Sequence, residues 1–271
     1  MHILKLSKLA IFTLLLLPLS ASAESDHCKA KKIDLWTKAS YAVGGSDLII
    51  QGKRVRLVGL YSPQIERKHK LNTPGEPLAK EAQEFLNKLL ANNDLEVGVE
   101  YDNTKVDKNL RQLVHLFLKD GTNVQKKILE SGYAINRPAY DNDNYAQCYF
   151  EAEQKARDNE VQLWDFHKQY PDKHFPLAES SKLNSQDTGF RIIKGKVLKV
   201  MKSSNNIIIN MDTTGIRISK RFWDRFDYKD IEKLKGKTIE VRGMAYLYKG
   251  VMFMMVEHPS SIDRFNPLNK R

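Results

Sequence analysis

Tyr246 and Tyr248 alternate along one predicted strand and so share a face. Aromatic rings on a strand can stack on unpaired bases, and guanidinium or ammonium groups nearby can neutralise phosphates. With Arg217, Lys220 and Arg242 the two tyrosines form a candidate polyanion-binding set. Cys28 and Cys148 are the chain's two cysteines. In an oxidising compartment they allow one pairing, so a Cys28–Cys148 disulfide is expected. No His or Cys stands at finger spacing beside them, which argues against a zinc site. His27, His69, His115, His167, His174 and His258 show no metal or triad spacing. No Ser-His-Asp constellation, phosphate-binding glycine loop or dinucleotide fingerprint is visible.

The charge is unevenly placed. The 271 residues carry a formal net charge of +11, which points to a polyanionic partner: nucleic acid, an anionic membrane surface or an envelope polymer. Residues 1–23 read as a signal peptide, with Lys5 and Lys8 before an apolar run and Ala21-Ser22-Ala23 as a small-x-small cleavage site. An exported protein, periplasmic or secreted, is expected, with no transmembrane span after cleavage and an oligomeric state left open. Residues 190–271 hold 18 Lys and Arg against 8 Asp and Glu, so residues 24–189 are close to neutral.

The elements that must position these groups fall into two sets. Short strands are predicted at Val43, Leu48-Ile49-Ile50 and Val55–Leu60, divided by the turns Gly44-Gly45 and Gln51-Gly52. Apolar spacing predicts helices over 77–90, from Asn123 to Gly132, and over 143–159, with strands over 95–101 and 113–118. The first domain is set at 31–168. Periodicity fades over 169–189, which reads as a linker. Over 190–266 the order is three strands, a helix near 221–234 and two strands, the order of a five-stranded OB-type barrel. The fold class is therefore a β-barrel with helices (α+β), followed by a second small barrel. Phe222, Trp223, Phe226, Tyr228, Tyr246, Tyr248 and Phe253 read as exposed-type aromatics among its charges.

Several segments in order carry a family resemblance: Ala42-Val43-Gly44-Gly45-Ser46-Asp47, Val55–Gln64, Gly75–Leu90, Asp107-Lys108-Asn109-Leu110-Arg111, Ile128–Ala134, Glu151–Ala156 and Leu163-Trp164. Over most of residues 36–164 the chain resembles the staphylococcal (thermo)nuclease family. The resemblance implies a five-stranded OB barrel with three helices. It also implies calcium-dependent hydrolysis of phosphodiesters, in which carboxylates hold the cation and position water while two arginines neutralise the phosphate. Arg56 and Arg111 match the two arginines. The two metal aspartates fall on Ser46 and Tyr61, and the water-positioning glutamate on Gln64. All three carboxylates are absent, and none of these neutral side chains replaces one. Asp47 and Glu66 are the substitute candidates. A one-residue step on a strand points Asp47 to the opposite face unless a bulge at Gly44-Gly45 re-aims it. Arg67-Lys68-His69-Lys70 lies where the family has a basic mobile loop. The run Lys235–Gly243 and Glu257-His258-Pro259 look like a domain appended to some bacterial nuclease-like proteins.

The reading that follows is an exported nuclease-fold protein, catalytically degenerate, that binds nucleic acid or another polyanion and needs no cofactor. Its cleft should be net positive because Arg56 and Arg111 lose their anionic neighbours. One alternative is an active calcium-dependent nuclease with a reorganised site. Another is a scaffold or interaction protein without nucleic acid.

Overall fold

Gln51 and Gly52 both have positive φ, 49° and 72°, the conformation of a two-residue turn whose twist suits the strands it joins. The turn links β2 (Asp47–Ile50) to β3 (Lys53–Leu57) and fixes their register from Ile50↔Lys53 out to Asp47↔Arg56. A computed structural model describes residues 26–68 and 74–265. The expected signal peptide, and His69 and Lys70 of the basic loop, lie outside the described residues.

With β1 (Leu35–Ala42), β5 (Glu96–Glu100) and β6 (Gln112–Phe117), these strands close a five-stranded barrel in the order β1-β2-β3-β6-β5. Strand β3 runs parallel to β6 and the other pairs are antiparallel. Strand β1 ends at Ala42, just before the strand expected at Val43, and its length is not marked in the sequence because only two of its eight residues are buried and apolar periodicity is weak. Helix α1 (Ala79–Ala91) buries Ala82, Leu86 and Leu90, four residues apart, against the barrel. Helix α2 (Val124–Glu130) begins where expected: the Asn123 side chain accepts from the Lys126 amide at 3.0 Å. Helix α3 (Ala146–Asp158) is tied to the N-terminal segment by the Cys28–Cys148 disulfide. The short strands β4 (Leu60–Tyr61) and β7 (Ile135–Asn136) pair outside the barrel.

The expected linker is ordered. Helix α4 (Leu163–Gln169) ends at Tyr170, and β8 (Leu177–Glu179) then adds in parallel to the second sheet. Its lack of periodicity comes from its elements being three to seven residues long, too short to show a period. The second sheet contains β9 (Gly189–Lys196), β10 (Lys199–Lys202), β11 (Asn206–Asn210), β12 (Thr214–Ser219), β13 (Thr238–Tyr248) and β14 (Val251–Met255). Its order is β10-β11-β12-β14-β13-β9-β8. Only Val197 and Leu198 separate β9 from β10, so one bent strand pairs with β13 at one end and β11 at the other. The connectivity repeats the first barrel, including a parallel pair, here β12 with β14. The expected helix is a 3-10 turn at Lys220–Arg225 followed by α5 (Tyr228–Glu232), and Phe222 within it is buried.

The two units share a core. Tyr61, Ile135, Ala156, Leu163 and Trp164 pack with Phe175, Phe190 and Ile192. Arg242 of β13 crosses this seam: its Nη1 lies 2.9 and 2.8 Å from the Glu153 carboxylate oxygens and donates to the Asn136 carbonyl at 3.1 Å. Arg157 makes a matching pair with Glu240 at 3.0 Å.

Candidate functional site

The β2–β3 register places Asp47 directly opposite Arg56, and opposed residues on paired strands share a face. Asp47 is buried, and its carboxylate lies 3.0 Å from Arg111 Nη1, 3.4 Å from Arg54 Nε and 3.8 Å from Arg56 Nη1. Asp47 thus reaches the arginines through the hairpin register, without a bulge at Gly44-Gly45. Counting outward from the Gln51-Gly52 turn gives the pairing, and that signal was in the sequence. The expectation that the arginines lose their anionic neighbours therefore fails.

Arg111 is held from a second side. Residues 107–111 form a loop in which the Asp107 amide donates to the Arg111 carbonyl. The Asp107 carboxylate receives Arg111 Nε at 2.8 Å and the Asn109 amide at 2.8 Å. Burial works to raise the Asp107 pKa, but the hydrogen bonds from Arg111 and Asn109 outweigh it, and the carboxyl is held below its ordinary value. Burial lowers the Arg56 pKa, an effect that Asp47 opposes and Arg111 reinforces.

Arg137 is the site residue that the sequence reading missed. It follows β7, and its amide donates to the Gly59 carbonyl at 2.9 Å. Its guanidinium lines the same cleft as Arg56 and Arg111, a cavity of about 250 Å³. Burial lowers its pKa against the pull of Glu257. The cleft is lined by the cations Arg56, Lys108, Arg111 and Arg137 and by the carboxylates Asp107 and Glu257. The excess of positive charge survives the added carboxylates, and Glu257 comes from the second unit. Nothing local in the sequence marks Arg137, since its position depends on β4 pairing with β7.

Ser46, Tyr61 and Gln64, the neutral residues at the positions expected to bear carboxylates, have partners of their own. Tyr61 donates to Glu76 Oε2 at 2.5 Å and stacks on Phe190 with ring centroids 4.7 Å apart. Burial, then Glu76, push its pKa far up, so it stays a neutral phenol. The Gln64 amide N–H also donates to Glu76 Oε2, at 2.8 Å, and its side-chain nitrogen donates to the Ser62 carbonyl. Ser46 is buried, with its hydroxyl 3.4 Å from Asp47. Asp47 and Glu66 do line one hollow, but Arg54 and Arg67 line it too. Among the described residues no group of three His, Cys, Asp or Glu is placed to hold a metal ion. A hydroxyl that donates, a neutral amide and a carboxylate shared by three arginines do not make the hard oxygen cage that calcium requires.

Residues 54–166 match the family described as staphylococcal nuclease homologue. The chain carries a staphylococcal-nuclease-type domain. No curated protein matches the chain. The matched segment of this nuclease-type domain begins at Arg54 and contains Arg56, Tyr61, Gln64, Arg111 and Arg137.

The polyanion candidates of the second unit separate. Tyr246 and Tyr248 are 39% and 55% exposed, and Lys220 is exposed. Arg217 is half-buried, with its guanidinium 4.6 Å from the centre of the Phe253 ring. Arg242 is 5% exposed and belongs to the seam with Glu153, so it offers no charge to a ligand.

Proposed function

We propose that this is an exported nuclease-fold protein that grips phosphate-bearing polyanions, nucleic acid first among them, without metal-dependent hydrolysis. The observation that carries the reading is the cleft where Arg56, Arg111 and Arg137 converge while the three positions that should bear carboxylates hold Ser46, Tyr61 and Gln64. Arginines in a half-buried wall bind phosphate oxygens through charge-assisted hydrogen bonds. Hydrolysis needs more: a cation and an oriented, activated water. Neither has a built place among these side chains. Export is supported by the Cys28–Cys148 disulfide, a bond that persists in oxidising compartments. No helix among the described residues is long and apolar enough to cross a membrane.

Calorimetric titration with pyrophosphate tests the grip. Binding without added metal, weakened at least about 10-fold by Arg137→Ala as the loss of one charge-assisted contact, is expected. Equal affinity in wild type, Arg111→Ala and Arg137→Ala contradicts the assignment.

A further inference from the structure

The second sheet has an outer face on which Tyr246, Tyr248, Val251 and Lys199 are exposed, and its Met244–Met255 end borders a hollow that Arg137 and Pro138 of the first unit also line. Two neighbouring rungs run across five of its strands. One reads Lys199–Asn210–Gly215–Phe253–Tyr246 and the other Met201–Ile208–Arg217–Met255–Met244. A further pair, Tyr248 with Val251, extends the face along β13 and β14. The alternate residues Ile207, Ile209, Ile216, Ile218, Met252 and Met254 are buried in the core, as strand alternation requires.

The chemistry of this face is particular. Tyr246 and Phe253 lie side by side, centroids 6.0 Å apart with 25° between planes, and Tyr248 meets Phe253 edge-on at 6.0 Å. Gly215 makes room for the arrangement: a Cβ there would stand 2.9 Å from Phe253 Cε1 and 3.0 Å from Arg217 Nη1. The Arg217 guanidinium lies over the Phe253 ring at 4.6 Å and Lys249 over the Tyr248 ring at 5.5 Å, while Lys199 is exposed at the far end of the first rung. Neither rung contains a carboxylate, and Asp212 is the acidic residue in the adjoining hollow. The surrounding segment, residues 190–271, carries an excess of ten positive charges. From β13 to β12 the face spans two strand spacings, about 10 Å, room for two or three nucleotides.

We propose that this face binds single-stranded nucleic acid, with unpaired bases on the exposed Tyr246 and Tyr248, which Phe253 supports, and phosphates on Arg217, Lys199 and Lys249. Flat rings need a partner with exposed π-faces, which a duplex or an inorganic polyanion lacks, while the cations supply a sequence-independent attraction. The inference rests on the reading of the protein as a polyanion binder but uses a surface separate from the arginine cleft.

Fluorescence anisotropy of the disulfide-intact protein in EDTA tests it, with three labelled probes: a 12-nucleotide single strand, its duplex and an abasic strand of equal length. The single strand should bind at least about 10-fold tighter than the abasic strand, the scale of one base–aromatic stack. Tyr246→Ala/Tyr248→Ala should abolish that advantage, and Tyr246→Phe/Tyr248→Phe should keep it. Equal binding of single and abasic strands overturns the proposal, as does an advantage that survives the alanine pair. If Arg56→Ala/Arg111→Ala removes the advantage and the tyrosine pair does not, the strand lies in the cleft: this inference falls and the polyanion reading stands. Failure of all three probes to bind overturns both.

Discussion

Tyr61 and Phe190 lie face to face across the two units, with ring centroids 4.7 Å apart and 20° between their planes. Tyr61 occupies the position where the family resemblance places a metal aspartate. Its hydroxyl donates to Glu76, which Arg191 of the second unit approaches at 3.5 Å. Tyr61 is thus part of the seam that joins the units. Placing a carboxylate at this position should therefore damage the protein. Tyr61→Asp removes a buried ring and sets a second anion beside Glu76. A loss of about 3 kcal/mol or more is expected in urea denaturation, and added Ca²⁺ should recover none of it. A calcium-dependent rise in the midpoint contradicts this account.

Arg242 and Glu153 form a buried pair between the units. Removing one charge leaves the other uncompensated in a poorly solvated place. Arg242→Met should cost about 3–5 kcal/mol, and the added change Glu153→Gln should return a large part of it. The double-mutant comparison in urea separates a lost ion pair from lost packing.

The seam should weaken in mild acid. His258 Nδ1 accepts from the Ser260 amide at 3.1 Å, and its Nε2 lies 3.5 Å from Asp143. Burial lowers its pKa below 6.5, against the pull of Asp143, and burial lowers that of His167 in the same direction. The unfolded chain therefore takes up protons near pH 6.5 while the folded protein resists them. Their stability contribution is full above pH 6.5 and is lost as pH falls through the lower folded values. Urea midpoints should decline as pH drops below about 6.5, and His258→Asn should flatten that decline. An unchanged slope in the variant contradicts the assignment.

The disulfide closes a loop with a sequence separation of 120. In the chain-entropy account, opening so long a loop costs about 4–5 kcal/mol. Cys28→Ser/Cys148→Ser should show that loss against the oxidised protein in denaturant, with no change in pyrophosphate affinity at 10 °C, because neither cysteine lines the cleft. A large affinity change would mean that the bond shapes the site.

Much of the first barrel was legible because its information is local. The Gln51-Gly52 turn, the Asn123 cap and the apolar spacing of α1 each act within a few residues. The length of strand β1 was not, because it presents mostly exposed side chains. The site divided along the same line. Arg56 and Arg111 were found by resemblance. Asp47 was not expected as their anionic neighbour because the hairpin register, not alternation along one strand, decides that it faces Arg56. Arg137 was missed because only tertiary pairing brings β7 to the cleft. Arg242 read as surface charge because composition does not disclose that Glu153 waits for it on another element.

We propose that the nuclease-type cleft binds phosphate without metal-dependent hydrolysis. The most direct measurement is cleavage of end-labelled single-stranded DNA by the disulfide-intact protein, with Ca²⁺ and with EDTA, beside Arg56→Ala. The account predicts intact substrate in both conditions, with the DNA retained by the wild-type protein. Calcium-dependent cleavage that Arg56→Ala abolishes would contradict it.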